Sequence, residues 1–304
     1  MKTSCRFVVA VLAGLLFAAV AEADALDDAL EQAKKTGKPV LAIAGTKTCG
    51  LCVALKEDLK DPAYAPMLAQ FVPLNLDYGD QAQLQTCIKL QEKYKVEGTR
   101  IPLVIVIRAD GAQLYGKDGA PDSLPDFFRS AIQLGGKILP PAQLEKLAKS
   151  VSEAAELKSQ GKLPEAVTAL AKCLGTGSYA GPAADANKLA EELTKEAGES
   201  LKKAEELLSR TDGALDGILM LLAGQRTYAK LPETAKPFAT AMVKHRKNKD
   251  LRDPFLQAEA LDKARAAASD AKRATTYYKV VLAKYPGTKA AELATAELAA
   301  LDAE

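Results

Sequence analysis

Cys49-Gly50-Leu51-Cys52 is the stretch of this chain where residue type and spacing first permit chemistry. Two thiols separated by two residues can close a disulfide when they open a helix, because the second lies one turn from the first. The flanking pattern provides that setting. The apolar run Val40-Leu41-Ala42-Ile43-Ala44 reads as a buried strand ending at Gly45. Leu51, Leu55 and Leu59, at intervals of four, read as one face of a helix that follows. A cysteine at such a helix start sits among unpaired backbone N–H groups at the positive end of the dipole, which favours thiolate over thiol. The chemistry expected here is redox exchange with an external disulfide. Two other uses stay open from the residues alone, a purely structural disulfide and a metal site. The second needs more ligands, and the chain has no second Cys-x-x-Cys and a single histidine, His245.

The elements that must hold this pair lie within 304 residues, enough for two domains. Nearly half the residues are apolar and the formal net charge is +2, so no electrostatic footprint for nucleic acid is present. Lys2 and Arg6, the apolar stretch Phe7–Val20 and the small-x-small site Ala21-Glu22-Ala23 together read as a signal peptide spanning 1–23, with Asp24 as the mature start. The apolar run falls short of the ~20 residues of a spanning helix, which favours cleavage over an uncleaved anchor. No second such run follows, so the expectation is an exported chain, periplasmic or extracellular, without a transmembrane span in its mature form. Cys49, Cys52, Cys87 and Cys173 then remain in a compartment that permits disulfides. Cys87 and Cys173 read as buried apolar thiols or as a bridge between the two halves, and sequence does not settle their pairing.

In order, Asp24–Thr36 reads as a helix stopped by Gly37, and Val40–Ala44 as a strand followed by the Cys-x-x-Cys helix. Asp61-Pro62 breaks that helix, and a short helix is expected over Tyr64–Gln70. Phe71–Asp77 is strand-like, with Pro73 arguing against regular pairing along its whole length. Gln81–Lys95 is helical, with Leu84, Cys87, Ile88 and Leu90 turned inward. Ile101-Pro102 opens a β-branched strand to Ile107, Asp110-Gly111 turns into a strand around Gln113–Tyr115, and Ser123–Leu134 is a final helix.

With this element order, the Cys-x-x-Cys and the Ile-Pro before the third strand, residues 24–138 resemble the thioredoxin superfamily. The run Cys49, Cys52, Leu55, Lys56, Asp61, Pro62, Phe71, Val72, Asp77 is similar to that of its exported members. The resemblance implies an α/β thioredoxin-like fold and a thiol–disulfide oxidoreductase without cofactor or metal. Its partners would be a protein dithiol or disulfide substrate and a redox partner. It implies Cys49 as the exposed, low-pKa nucleophile, Cys52 as the resolving thiol, Pro102 as a cis-proline beside the pair, and the backbone of Ile101 as a hydrogen-bonding edge for an extended substrate. Departures from the pattern are Thr48 in place of the usual Trp, Gly50-Leu51 in place of Gly-Pro, Val53 after the second cysteine in place of Lys, and Ile43 where thioredoxin has a buried acid.

Beyond Ile138-Leu139-Pro140-Pro141 the β signal ends and Ala, Leu, Lys and Glu dominate. Residues 142–304 read as an all-α, helical-hairpin region. Gly161-Lys162-Leu163-Pro164 followed by Glu165-Ala166, and Tyr277–Ala290, resemble degenerate tetratricopeptide turns, but no fixed 34-residue period is present. Helices are expected over Ala183–Arg210 with Gly198 a weak point, Ala214–Lys230, Glu233–Lys247, and beyond Phe255. Such a region would recruit a peptide or protein partner. The alternative to the enzyme is an interaction protein in which the thioredoxin fold is scaffold and the Cys49–Cys52 disulfide structural. Lys244–Arg252, around His245, reads as a solvated basic helix end.

Overall fold

The computed structural model describes residues 24–98 and 100–302, so the 1–23 signal-peptide segment lies outside the described residues. Helix α1 (Ala25–Thr36) starts where the Asp24 carboxylate accepts the Leu26 N–H at 3.1 Å, and stops at Gly37, whose φ of 74° is the left-handed conformation glycine adopts without penalty. Strand β1 (Val40–Gly45) is buried along its whole length. Then come α2 (Gly50–Asp58), a 3-10 turn at Pro62–Tyr64, α3 (Ala65–Leu68), β2 (Val72–Asp77), α4 (Gln81–Lys93), β3 (Leu103–Ile107), β4 (Gln113–Asp118) and α5 (Leu124–Gly135).

The sheet order is β2-β1-β3-β4, with β1 parallel to β2 and antiparallel to β3, and β3 antiparallel to β4. Alternation along the strands builds two cores. Val40, Ala42, Ala44, Leu74, Ile105 and Ile107 face α1 and α4, where Leu26, Cys87 and Leu90 meet them. Leu41, Ile43, Val104 and Val106 face the other side, against Leu55 of α2 and Phe127 and Phe128 of α5.

Two expectations within this unit need correction. Pro73 does not interrupt pairing: β2 is paired with β1 from Val72 to Asp77, with Pro73 opposite Leu41. The strand lies at the sheet edge, where a missing N–H on the outward side breaks no ladder. Ile88 is 38% exposed, and the inward face of α4 is made instead by Thr86, Cys87 and Leu90. Thr86 is buried because its hydroxyl donates to the Asp24 carboxylate at 2.6 Å.

The remainder is helical: α6 (Pro141–Ser159), α7 (Leu163–Ala171), α8 (Gly181–Leu208), α9 (Ala214–Thr227), α10 (Pro232–His245), α11 (Arg252–Ala266), α12 (Ala271–Lys284) and α13 (Lys289–Asp302). Helix α8 runs unbroken through Gly198. That residue is on the solvent side with nothing near its missing Cβ, and a penalty of about 1 kcal/mol is outweighed by Leu193, Ala197, Ala204 and Leu208 buried on the opposite face. Helix α9 packs on α8, α10 and α11, and α12 on α11 and α13, in one continuous core.

The loop before α8 docks the helical region onto the sheet. Tyr179 packs against the α1/α4 core, with the Arg108 guanidinium 3.6 Å from its ring centroid. Arg108 is itself gripped by Asp110 at 2.9 and 2.8 Å. The Lys137 N–H donates to the Gly177 carbonyl at 2.7 Å. Gly37 is hemmed by Ala180 and Ser178, each 3.3 Å from where a Cβ would sit. These contacts gather where β1 begins and β3 ends. The Cys49 end of β1 is about 17 Å away at the strand rise.

Candidate active site

Cys49 and Cys52 are both free thiols at the start of α2, directly after β1. Cys49 is the N-cap residue, in extended conformation, and its sulfur accepts the Cys52 N–H at 3.3 Å. It is half-buried, whereas Cys52 is 1% exposed. The Cys49 thiol faces the Ile101 carbonyl at 3.6 Å, the Ile101–Pro102 peptide bond is cis, and Pro102 is buried. The four residues named from the sequence, Cys49, Cys52, Ile101 and Pro102, are thus brought together at one end of the sheet, on β1–α2 and on the loop entering β3.

Electrostatics divide the two thiols. The Cys49 thiol is lowered from its ordinary value, first by the hydrogen bond with the Cys52 thiol, against a smaller opposing effect of burial, with the Cys52 and Leu51 amides adding to it. The Cys52 thiol is raised, first by burial and then by that same bond with Cys49. The two thiols are thus unlike, the exposed one ionising more readily than the buried one. Iodoacetamide should therefore modify Cys49 in preference to Cys52 at neutral pH. Its rate profile against pH should turn below the ~8.5 of a free thiol, and peptide mass spectrometry after short pulses would measure it.

Gly45 is where β1 makes room for this arrangement, since a Cβ there would lie 2.6 Å from the Cys52 sulfur. Leu55 is buried and Leu59 half-buried, but Leu51 is 63% exposed, because the buried face of α2 runs through Cys52 and Leu55. Val53, on another face of the helix, is 44% exposed. A cavity of about 310 Å³ opens on the other side of Ile101, lined by Tyr78, Gln91, Gly98, Arg100 and Leu103. Arg100 is fixed there by a two-pronged bond to Asp118, both contacts at 3.1 Å.

Sequence reasoning named Gly45 and Asp77 only as strand ends, and it missed the contact of Gly45 with sulfur and the exposure of Leu51. Gly45 was visible as the end of the apolar run, but its contact with sulfur depends on the pitch of α2 over the sheet. Asp77 ends β2 beside Gly45, and its carboxylate lies 3.6 Å from the exposed Lys47 ammonium. His245 is elsewhere, at the end of α10, bonded to Glu205 of α8 at 2.7 Å. Cys87 and Cys173 are buried free thiols in different cores. Among the described residues no group of His, Cys, Asp and Glu is placed to hold a metal ion, and no helix is long and apolar enough to cross a membrane.

Comparison with known proteins bears on the first half of the chain. A family model described as thioredoxin-like matches residues 21–109. Two solved structures are similar over part of the chain. One is titled DsbH oxidoreductase, 23% identical, covering 35% of this chain and 80% of its own, with a TM-score of 0.30. The other is a disulphide isomerase from Xylella fastidiosa Temecula1, also 23% identical, covering 40% and 95%, with a TM-score of 0.28. No curated protein gave a match. The chain therefore carries a thioredoxin-like domain with a mixed four-stranded sheet, joined to a large helical C-terminal region.

Proposed function

We propose that the protein is an exported thiol–disulfide oxidoreductase that exchanges disulfides with a protein partner through Cys49 and Cys52. The observation that carries this reading is the asymmetry of the pair: a half-exposed, lowered thiol capping a helix, one turn from a buried, raised one. Cys49 thiolate attacks a substrate disulfide, forming a mixed disulfide and releasing one substrate sulfur. Cys52 then attacks Cys49, closing the Cys49–Cys52 bond and releasing the second. Ile101 offers its backbone to an extended substrate segment beside Pro102, and the exposed Leu51 meets an apolar side chain flanking the substrate cysteine. The same atoms run in reverse when the pair is oxidised, and the sense is set by its potential relative to its partner.

The helical region serves recruitment in this reading. Its packing supports a helical-hairpin array: consecutive helices α9 and α10, then α11 and α12, pack together, α9 also packs on α11, and α13 packs on α12. Docked at the far end of the sheet from Cys49, it would hold a large partner while leaving the thiols open. A compartment outside the cytoplasm fits the leader-like residues 1–23.

The reading is tested by redox titration against glutathione, with alkylated cysteines quantified by mass spectrometry. A reversible two-electron transition of Cys49–Cys52 within the range of thioredoxin-fold proteins, about −120 to −270 mV, is expected. A bond that stays closed under strongly reducing conditions, or thiols inert at neutral pH, would assign the pair a structural role instead.

A further inference from the structure

We propose that Asp118 is a positioning residue for substrate: its two-pronged grip on Arg100 holds the Ile101 backbone in place beside Cys49, and so favours disulfides carried in extended polypeptide over small ones. The inference rests on the thiol-exchange reading above. Ile101 belongs to the irregular segment between α4 and β3, and the ladder that pairs β3 with β1 and β4 begins only at Leu103. Its carbonyl nevertheless lies 3.6 Å from the Cys49 sulfur. A contact outside the ladder has to hold it there.

Asp118 supplies it. It is the last residue of β4 and stands opposite Leu103, the first of β3. Its Oδ2 accepts from Arg100 Nε and its Oδ1 from Arg100 Nη2, both at 3.1 Å. Such a fork fixes orientation as well as distance. The Arg100 guanidinium also holds the Asp118 carboxyl below the usual carboxylate range, so the pair is charged at neutral pH. The residue after Asp118 adds a backbone tie, the Gly119 N–H donating to the Pro102 carbonyl at 2.7 Å. The end of β4 thus grips the chain on both sides of Ile101, at Arg100 and at Pro102.

Gly98 shows how closely this segment is seated. Its φ of 107° is a conformation glycine adopts readily, and a Cβ there would collide with the Asp118 carboxylate. Its carbonyl accepts from Gln91 Nε2 at 3.2 Å, which ties the segment back to α4. The neighbouring cation on β4, Lys117, does not compete for Asp118, because it is engaged by Asp122 at 2.9 and 3.0 Å. Arg100 is 74% exposed and Asp118 18%. A pair so open to water adds little to stability, so its value lies in where it puts the backbone.

The consequence falls on binding rather than on sulfur chemistry. The Cys49 thiol is lowered by the Cys52 thiol and by the Cys52 and Leu51 amides, and Asp118 and Arg100 are not among the groups that shift either thiol. Hydrogen bonds between the Ile101 backbone and an extended segment are made in the bound state and in the transition state alike. Losing them raises the half-saturation concentration without lowering the limiting rate. A disulfide with no peptide backbone gains nothing from this edge and loses nothing with it.

Single-turnover oxidation of the reduced full chain tests this, with hydroxyethyl disulfide and a linear peptide dimerised through its central cysteine as the two oxidants. Wild type should reach half-saturation at a lower concentration of the peptide than of hydroxyethyl disulfide. Asp118→Asn and Arg100→Gln should each raise the peptide value about 10-fold. Both should leave the limiting rate, and the reaction with hydroxyethyl disulfide, within about two-fold. The double variant should match either single one, since each breaks the same contact, whereas independent effects would multiply to about 100-fold. Arg100→Gln changes an exposed side chain, so it keeps the test open should Asp118→Asn misfold. The proposal is overturned if the peptide half-saturation value stays at wild type in Arg100→Gln, if the limiting rates fall instead, if the two effects multiply, or if wild type does not favour the peptide. Reduced wild type that reacts with neither oxidant overturns the thiol-exchange reading as well, whereas normal reaction with both oxidants and unchanged variants overturns this one alone.

Discussion

Cys49→Ser should reduce disulfide exchange to background, whereas Cys52→Ser should turn the protein into a trap. Both follow from the position of each sulfur. Cys49 caps α2, accepts a backbone N–H and faces outward beside Ile101, so it is the atom an incoming disulfide meets. A serine hydroxyl there keeps a capping oxygen, so α2 should persist, but no thiolate remains to attack. Cys52 is buried against Gly45, bonded to the Thr46 backbone and to the Cys49 sulfur. Without it the first bond still forms and nothing breaks it. Non-reducing electrophoresis of Cys52→Ser should therefore show covalent adducts that dithiothreitol releases, and mass spectrometry of those adducts names the substrate. The role assignment fails if Cys49→Ser matches wild type, or if adducts form equally through both single variants.

Much of the thioredoxin-like unit was legible because its signals are local. Asp24 before an amphipathic run, Gly37 after it, a fully apolar strand, Cys-x-x-Cys and Ile-Pro each state their own conformation. What failed depended on the neighbour. Pro73 is tolerated because β2 is an edge, a property of strand order that no window of sequence carries. Leu51 follows the spacing of a buried face yet lies outside, because the face α2 turns to the sheet begins at Cys52. Asp77 was legible as the end of the Phe-Val strand, but its place opposite Gly45 exists only through parallel register. The Tyr179–Arg108 contact joins a loop to a strand end across 71 residues and was equally silent.

That contact also constrains how the two regions cooperate. The helical region grips the sheet where β1 begins, and the thiols sit where it ends, so the helices do not line the reacting sulfurs. If the pair exchanges disulfides as proposed, selection near Cys49 would fall to short-range features such as the exposed Leu51 and the Tyr78–Arg100 cavity, and a partner held by the helices would sit about a strand's length away. A small disulfide and a recruited protein should respond differently to changes in the helices, the first hardly at all.

Removing the Glu297 carboxylate should destabilise the end of the helical region and free its last helix. Arg265 of α11 grips Glu297 of α13 with contacts of 2.5 to 3.1 Å, and the Tyr278 hydroxyl of α12 donates to the same group at 3.0 Å. One carboxylate thus ties three helices together at the end of the array. Burial raises its pKa, but the bonds from Arg265 and Tyr278 outweigh that and hold it below the usual carboxylate range. Burial, and then the bond to Glu297, push the Tyr278 phenol up to about 12. In Glu297→Ala the Arg265 guanidinium, one-third exposed, and the Tyr278 hydroxyl both lose their partner. The full penalty for breaking a buried pair, reduced for this partial solvation, gives a cost of about 2–3 kcal/mol. A carboxylate with a folded pKa below its unfolded value stabilises fully above the unfolded value, ~4.3, and that increment disappears as pH falls through the lowered folded one. The gap between wild type and Glu297→Gln should hence be constant from about pH 6 upward and close below about pH 4. Urea unfolding across that range, with limited proteolysis to detect release of α13, measures both. A Glu297→Gln variant within about 0.5 kcal/mol of wild type at neutral pH would show that packing of Ala290 and Ala294, not the ion pair, holds the last helix.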